Sequence, residues 1–296
     1  MKRQVILGAL VVLGGLTVAV AQQQAPLPPL PDLMKVKDNL YVITGSTPGA
    51  AFTGGNIGVL VTDNGVVLVD TKLPGYGPDI LTNIRKVTDK PVTMVINTHT
   101  HRDHTGSNEA FPATIDFVAH ENTKANMVKM DAFTGDKARF LPKRTYKDKM
   151  SVGSGKNRID LFYFGPGHTN GDSWVLYPAL RVLQTGDLFA RRDAPIIDRT
   201  NGGSGIEFPK TLGKAVAALK DVDIVIPGHN PVTTLKDLQE YQRFMTDWVA
   251  AVQTAAKAGK SVDEAIASIN LTAKYPGYTN ENSKNAIAAV YAELGK

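Results

Sequence analysis

The sequence of 296 residues contains no cysteine. The chain therefore forms no disulfide bond and offers no thiolate, either as a nucleophile or as a metal ligand. Any metal site must use histidine and carboxylate side chains, and histidine is scarce, with six in the chain. The formal charge is also small, at +5 with histidine neutral. Such a weak field does not favour nucleic acid as a partner, so a small-molecule substrate is expected.

The N-terminus begins with Met1-Lys2-Arg3, continues in an apolar run over residues 5–20 and reaches the small-residue pattern Ala19-Val20-Ala21. This order is typical of a secretory signal peptide, because the run is short for a membrane span and ends in a cleavage pattern. We predict that residues 1–21 are removed, which leaves a periplasmic or secreted protein without a stable membrane anchor. A transmembrane anchor is the alternative.

Composition divides the rest of the chain into three parts. Residues 22–36 include four prolines in the run Ala25-Pro26-Leu27-Pro28-Pro29-Leu30-Pro31, which predicts an extended tether. Residues 37–232 contain apolar runs of strand length, and we expect one catalytic domain there. In residues 233–296, apolar side chains recur at three- and four-residue steps, which predicts C-terminal helices packed on that domain.

Strand-like runs and a helical segment alternate in the first part of the predicted domain. The runs Ile57–Val61 and Val66–Val69 are separated by Asp63-Asn64-Gly65, which is a hairpin signal. Residues 77–87 have apolar side chains at helical spacing and lead into the β-branched run Val92–Ile96. The order of strand, helix and strand indicates an α/β fold with a sheet covered by helices.

Half of the histidines lie in one short segment, where His99, His101 and His104 accompany Asp103. His99 and His101 are two residues apart, so on an extended backbone they point the same way and can share one metal ion. Asp103 and His104 lie further along, where a turning chain can direct them at a second ion. Three imidazole nitrogens and one carboxylate are ligands that zinc accepts. A solvated polar loop is the alternative reading.

Three more candidate ligands each follow an apolar run. His168 comes after the run Arg158–Phe164, and His229 comes after Asp223–Ile226. Asp187 follows a third run, at 181–184. Glycine stands next to each turn, so the backbone can bend sharply and approach an ion closely. Because the ends of neighbouring strands meet at one edge of a sheet, we expect these side chains to lie together.

Three features are predicted to lie outside the metal site or at its border. His120 stands at the start of a predicted helix, where a capping or surface role is expected. The basic segment 137–149 carries six lysine and arginine side chains and is either a solvated face or a loop over the pocket that favours anionic substrates. The turn Tyr275-Pro276-Gly277-Tyr278 is expected to be packing, with a border of the pocket as the alternative.

Together these residues resemble the metallo-β-lactamase superfamily, whose His-x-His-x-Asp-His motif stands here at residues 99–104 and whose later ligands are matched by His168, Asp187 and His229. The resemblance covers about residues 40–230 and implies an αβ/βα four-layer sandwich. It implies that His99, His101 and His168 hold one metal ion, and that Asp103, His104 and His229 hold a second. Asp187 would bridge the two ions. Asp70 matches the family's early aspartate and would orient a ligand by hydrogen bonding.

The function predicted from these ligands is that of an exported dinuclear zinc hydrolase with two Zn2+ ions per chain. Two ions lower the pKa of a shared water towards about 7, and the metal-bound hydroxide would cleave a small ester, lactone, thioester or lactam. Asp103 would orient this water and carry a proton to the leaving group. Because a structural zinc ion typically has four ligands, seven candidates argue against a purely structural site.

Two alternatives to this function follow from the resemblance. The first is a β-lactamase, although the best-known zinc β-lactamases carry a cysteine where Asp187 stands. The second is a mononuclear iron enzyme that oxidises sulfur compounds, because related proteins bind iron through a subset of these ligands. The sequence does not indicate an oligomeric state.

Overall fold

The computed structural model of the protein describes residues 26–45, 51–271 and 273–296. The predicted signal peptide, residues 1–21, lies outside these residues. No helix within the described ranges is both long and apolar enough to cross a membrane.

Two β-sheets form the centre of the fold. The first sheet has its strands in chain order: β1 (Met34–Lys37), β2 (Leu40–Ile43), β3 (Ile57–Thr62), β4 (Gly65–Val69), β5 (Val92–Ile96), β6 (Asp116–His120) and β7 (Arg144–Tyr146). Strands β1 to β4 pair in antiparallel fashion, and β4 to β7 pair in parallel. The second sheet has the order β13-β12-β11-β10-β9-β8. Its strands are β8 (Lys149–Val152), β9 (Ile159–Phe162), β10 (Trp174–Tyr177), β11 (Val182–Gly186), β12 (Ile224–Pro227) and β13 (Thr233–Thr234).

Helices cover the outer faces of both sheets. The helices are α1 (Gly77–Arg85), α2 (Arg102–Thr105), α3 (Glu121–Met127), α4 (Phe208–Ala218), α5 (Leu235–Lys257), α6 (Val262–Ser268) and α7 (Ser283–Glu293). Strand β4 illustrates the layering, because Val67 and Val69 pack between the sheets while Val66 and Leu68 pack in the cluster that includes Ile80 of α1. Since both faces of this strand are buried, its sequence is apolar at every position rather than alternating. The predicted αβ/βα four-layer sandwich is confirmed.

The C-terminal helices share a buried cluster with the outer face of the second sheet. Trp248 of α5 and Ile287 of α7 pack in the same cluster as Leu183 of β11 and Val225 of β12. Each fully buried large side chain in such a cluster contributes about 1.5 to 3 kcal/mol of hydrophobic stabilisation. The turn at Tyr275 and Tyr278 also lies in this cluster, so its aromatic rings are packing residues.

The first sheet begins earlier than the predicted domain boundary at residue 37. Strand β1 pairs Met34 with Val42, and Leu30 and Leu33 pack against the cluster beside α1. The backbone N–H of Leu33 also donates to the side-chain oxygen of Asn83, at 3.2 Å. The C-terminal end of the proline-rich segment, which is predicted as a tether, is thus part of the domain, because apolar side chains follow the prolines.

Candidate metal centre

All seven side chains predicted as ligands come together at one end of the two sheets. Strand β5 leads into the loop of His99 and His101, and the short helix α2 carries Asp103 and His104. The remaining three follow β9, β11 and β12 of the second sheet. The side chains form two groups, and within each group the ligand atoms lie within 4.8 Å of one another. The first group is His99, His101, His168 and Asp187, and the second group is Asp103, His104 and His229.

Hydrogen bonds fix which nitrogen of His101 and His168 carries a proton. Nδ1 of His168 lies 2.8 Å from the carbonyl oxygen of Ile196, and Nε2 of His101 lies 2.7 Å from Oδ2 of Asp198. In a neutral imidazole each of these nitrogens must donate, so the other nitrogen of each ring has a free lone pair. Those two nitrogens face each other at 2.8 Å. Two acceptors repel at this distance unless a cation lies between or beside them.

His99 offers a third lone pair to the same group. Its Nδ1 lies 3.0 Å from the hydroxyl of Thr98, which itself donates to Asp70 and therefore accepts from His99. The Nε2 atom of His99 is buried and has no hydrogen-bond partner in the described part of the chain. A buried polar atom without a partner is costly, so this nitrogen fits a metal ion that would complete its bonding.

The second group is arranged in the same way around His104. Nδ1 of His104 lies 2.7 Å from Oδ2 of Asp70, so its Nε2 faces the group. This Nε2 lies 3.4 Å from Oδ2 of Asp103 and 3.3 Å from Nε2 of His229. The Asp70 carboxylate thus contacts the ring nitrogen of His104 that points away from the group.

Asp187 lies between the two groups. One carboxylate oxygen, Oδ1, is 3.3 Å from Nε2 of His104, and the other, Oδ2, is 3.6 Å from Nε2 of His168. The side chain is nearly fully buried, and no described residue donates a hydrogen bond to Oδ1. A carboxylate in this place can contact an ion in either group.

Glycine allows the backbone to approach these ligands closely. Gly186 has a φ of +49°, which a residue with a side chain rarely adopts, and it directly precedes Asp187. At Gly228, an added Cβ atom would lie 2.0 Å from Oδ1 of Asp187. Glycine at these two positions thus lets the backbone turn and approach the ligands, as the sequence predicts.

The electrostatics of the site favour a cation at its centre. Burial alone would lower the pKa of His104, but Asp103, Asp187 and Asp70 raise it well above its usual value. Burial, with the neighbouring His104, holds the pKa of His99 well below its usual range, so His99 remains neutral. The carboxylates thus attract positive charge while His99 keeps its lone pair, and a proton and a metal ion compete for the same position.

A cavity of about 380 Å3 opens onto both ligand groups. Phe52, Leu73 and Ile196 supply apolar walls, and Arg102 and Arg191 supply positive charge. The residues that line it include none from 131–157, so the basic segment does not border this cavity. A second cavity, of about 410 Å3, lies next to it and has Arg102 and Lys137 in its wall.

Two residues near the site were missed by sequence reasoning. Asp198 holds His101 across a separation of 97 residues, and a lone aspartate in a loop gave no signal for this contact. Lys72 is fully buried, and its Nζ donates to the carbonyl oxygen of Thr44 at 2.5 Å. Burial lowers the pKa of Lys72 to about 7 although Asp103 and Asp70 act to raise it. Its sequence position, two residues after Asp70, does not reveal that burial.

His120 lies outside both ligand groups. Its Nδ1 accepts the backbone N–H of Asn122 at the start of α3, and its Nε2 donates to the carbonyl oxygen of Lys147 at 2.7 Å. The capping role predicted for this histidine is therefore seen in the structure.

Comparison with known proteins identifies solved structures with the same fold and a protein family whose model matches this chain. The family model of the metallo-β-lactamase superfamily matches residues 50–229. The metallo-β-lactamase type 2 of Elizabethkingia meningoseptica is 28% identical over 222 residues, which cover 71% of this chain and 85% of that protein. The metallo-β-lactamase IND-1 of Chryseobacterium indologenes is 26% identical over 201 residues, or 66% of this chain and 80% of that protein. Among solved structures, a metallo-β-lactamase from Pontibacter korlensis has a TM-score of 0.63 at 20% identity, and the match covers 73% of this chain and 99% of that chain.

Proposed function

This chain belongs to the metallo-β-lactamase superfamily and is a metal-dependent hydrolase, and we propose that it is an exported enzyme that uses two zinc ions to cleave a small ester, lactone, thioester or lactam. The observation that carries the proposal is the convergence of ring nitrogens and carboxylate oxygens in two adjacent groups. We assign one ion to His99, His101 and His168, and the other to Asp103, His104 and His229. Asp187 would contact both.

Two divalent ions held by these groups would supply a water activated for attack near neutral pH and would offset the negative charge that develops on the attacked oxygen. The protein's part is to hold the ligands in place and to move protons. The hydrogen bonds from His168 to Ile196, from His101 to Asp198 and from His104 to Asp70 fix the ring orientations before any substrate binds.

Asp103 is the residue proposed to handle the proton. Burial alone would raise the pKa of Asp103, but His104 and His229 lower it to about 2, so it is a carboxylate at neutral pH. It lines the cavity, where its Oδ2 can accept a proton from the attacking water and deliver it to the leaving group.

The cavity walls indicate the kind of substrate. Phe52 is 56% exposed and its ring centroid lies 5.4 Å from that of His229, so it can cover an apolar part of a substrate and exclude water. Nε of Arg191 is buried without a hydrogen-bond partner among the described residues. An ester, lactone or lactam that also carries a carboxylate would satisfy this guanidinium.

A β-lactamase is the second candidate, because the two relatives described above are named metallo-β-lactamases. A β-lactam has both a strained amide and a carboxylate, which suits the cavity. The absence of cysteine separates this ligand set from that of the best-known zinc β-lactamases, so the ester or lactone class remains our first proposal.

The test begins with protein isolated without chelator from the secreted or periplasmic fraction. Intact mass should place the first residue near Gln22, and elemental analysis should find two zinc ions per chain. Hydrolysis of p-nitrophenyl acetate, a γ-lactone and the cephalosporin nitrocefin is then compared before and after zinc is removed by a chelator and restored. One iron ion per chain and no hydrolysis of any of the three would overturn the proposal in favour of the sulfur-oxidising alternative.

A further inference from the structure

A glycine-rich segment, residues 201–205, runs directly behind the first ligand group. Its sequence, Asn-Gly-Gly-Ser-Gly, has the composition of a flexible linker. The structure nevertheless holds it by backbone hydrogen bonds: Gly203 N–H donates to the carbonyl oxygen of Asp198 at 2.8 Å, and Ser204 N–H donates to that of Gly167 at 2.9 Å. The segment is thus attached on one side to the loop of His168.

The chain just before this segment supports two of the proposed ligands. The carbonyl oxygen of Ile196 accepts from His168, and the carboxylate of Asp198 accepts from His101. Asp198 is itself held by Asn201, whose side-chain amide donates to Oδ2 at 2.6 Å and whose backbone N–H donates to Oδ1 at 3.1 Å. Any shift of the glycine-rich segment would therefore move the groups that orient His101 and His168.

The other side of the segment is held by the last helix of the chain. Glu293, at the end of α7, accepts from the hydroxyl of Ser204 at 2.6 Å and from the backbone N–H of Gly205 at 2.7 Å. The Arg199 guanidinium donates to the carbonyl oxygen of Ala289, one turn earlier in α7, at 3.1 Å. A carboxylate that accepts two such bonds forms a stronger link than a neutral acceptor would.

Packing leaves this segment little freedom to move towards α7. A Cβ atom added at Gly205 would lie 2.5 Å from Cγ2 of Val290 and 2.8 Å from Cδ1 of Ile197. The backbone of Gly205 therefore lies directly against the side of α7. The helix and the segment form one packed unit behind His101 and His168.

We propose that Glu293 is a positioning residue for the first metal ion, because it fixes the segment through which Asp198 and Ile196 orient His101 and His168. The C-terminal helix would then be part of the metal centre's support, although Glu293 lies more than 60 residues after the last ligand, His229. This inference rests on the proposed function only in that His99, His101 and His168 bind metal.

The test measures zinc affinity of each ligand group separately. In a His229→Ala background the second group lacks a ligand, so titration of zinc against a competing chelating dye reports the first group. In a His168→Ala background the same titration reports the second group. Outer partners of metal ligands typically contribute 10- to 100-fold in affinity. Glu293 does not contact a ligand itself but holds the segment next to the partners of His101 and His168. For Glu293→Ala we therefore expect zinc affinity to fall about tenfold in the His229→Ala background and to stay unchanged in the His168→Ala background.

Controls separate positioning from general stability. Glu293→Gln keeps the side-chain size and one acceptor oxygen, so it should show an intermediate loss. Lys284→Ala removes an exposed charge from the same helix, where Lys284 pairs with Asp263 at 3.1 Å, and it should leave zinc affinity unchanged. Combining Glu293→Ala with Asp198→Asn should give less than the product of the two separate losses, because both act on His101.

A purely structural role for Glu293 predicts a different pattern. It would lower the free energy of unfolding in the presence of EDTA while zinc affinity of both groups stayed at the wild-type value. That result, or an equal loss of affinity in both backgrounds, would overturn the inference. If the enzyme cleaves no ester, lactone or lactam, the proposed function is contradicted, but the zinc affinities still test the role of Glu293.

Discussion

The carboxylate of Asp70 lies 2.7 Å from Nδ1 of His104, and both side chains are buried. Asp70 also accepts the backbone N–H of Thr98 at 2.8 Å and the hydroxyl of Thr98 at 2.7 Å. Because the same oxygen receives the Thr98 hydroxyl and the His104 N–H, this oxygen must act as an acceptor. It thereby determines that Nε2 of His104 carries the lone pair that faces the second ligand group.

Asp70→Asn tests this dependence with little change in shape. Asp70 has a φ of +68°, and asparagine tolerates this left-handed conformation better than most residues. The amide can still accept from the Thr98 backbone, but its NH2 group would then face two donors. We expect zinc affinity of the second group to fall about 10- to 100-fold, and that of the first group to fall less, because Asp70 reaches His99 only through the Thr98 hydroxyl.

The measurement for Asp70→Asn is zinc titration in the His168→Ala background, with His229→Ala as the comparison. Asp221→Asn is the matched control, since its side chain is 96% exposed and remote from the ligands. Equal losses in both backgrounds would show that Asp70 supports the fold of the whole site rather than the orientation of His104.

His120 should make stability depend on pH below neutrality. Burial lowers the pKa of His120 from 6.5, although the Lys147 carbonyl, Glu121, Asp172 and Asp148 act to raise it. Above the unfolded-state value the ring is neutral in both states, and as pH falls through that value the unfolded chain binds a proton that the folded protein resists. Stability is therefore present at neutral pH and lost as the pH falls below about 6.5. Protonation of Nδ1 would also break the cap on Asn122.

His120→Asn checks the pH effect, because asparagine is a good helix cap that does not titrate. Urea unfolding of the zinc-free protein should show a smaller decrease in free energy between pH 7.5 and pH 5 in this variant than in the wild type. The ligand histidines titrate in both proteins, so the difference isolates His120. Identical pH profiles would contradict the prediction.

The ends of strands made the ligand positions predictable from sequence. His99, Asp187 and His229 each follow a short apolar run, and glycine marks the turns that direct Asp187 and His229. The parts that were not predicted depend on contacts between distant segments. The bond from His101 to Asp198 and the contact of Glu293 with Ser204 span 97 and 89 residues, and neither has a local pattern.

The role of the basic segment also could not be predicted from the sequence alone. Its composition allowed either a lid over the pocket or a solvated face, and only three-dimensional placement can distinguish them. Lys137 pairs with Glu109 at 2.7 Å, and Arg144 pairs with Asp116 at 2.8 Å. These exposed pairs, together with the lining of the metal cavity, favour a surface role.

Arg191 rather than the basic segment should determine preference for anionic substrates. We expect Arg191→Gln to lower kcat/KM for mono-p-nitrophenyl succinate about tenfold, through KM, while p-nitrophenyl acetate is little affected. The salt dependence of the anionic ester should also become flatter, because a charge near the substrate has been removed.

The double variant Lys147→Gln/Lys149→Gln is the control for Arg191, since it removes two exposed charges from the basic segment. It should leave both esters unchanged. A selective loss for the anionic ester in the double variant, with none in Arg191→Gln, would restore the basic segment as the element that attracts substrate.

Asp187 provides the strictest test of a centre with two ions, because its carboxylate lies within 3.6 Å of ring nitrogens from both ligand groups. A carboxylate between two cations offsets part of their mutual repulsion, so its removal should weaken the second ion most. His99, His101 and His168 still provide three nitrogens for the first ion. We expect Asp187→Ala to retain about one zinc ion per chain and to lose activity by roughly two orders of magnitude.

Asp187→Asn separates charge from shape in the same experiment. It keeps the size of the side chain and one acceptor oxygen but removes the negative charge, so a loss of the second ion in both variants would identify charge as the cause. Folding should persist in both, because the residue follows the end of β11 and lies at a turn. The measurements are zinc per chain, turnover of the best substrate and circular dichroism. Two zinc ions bound in Asp187→Ala, with activity close to that of the wild type, would contradict a bridging role, because the two ions would then be stable without a shared carboxylate.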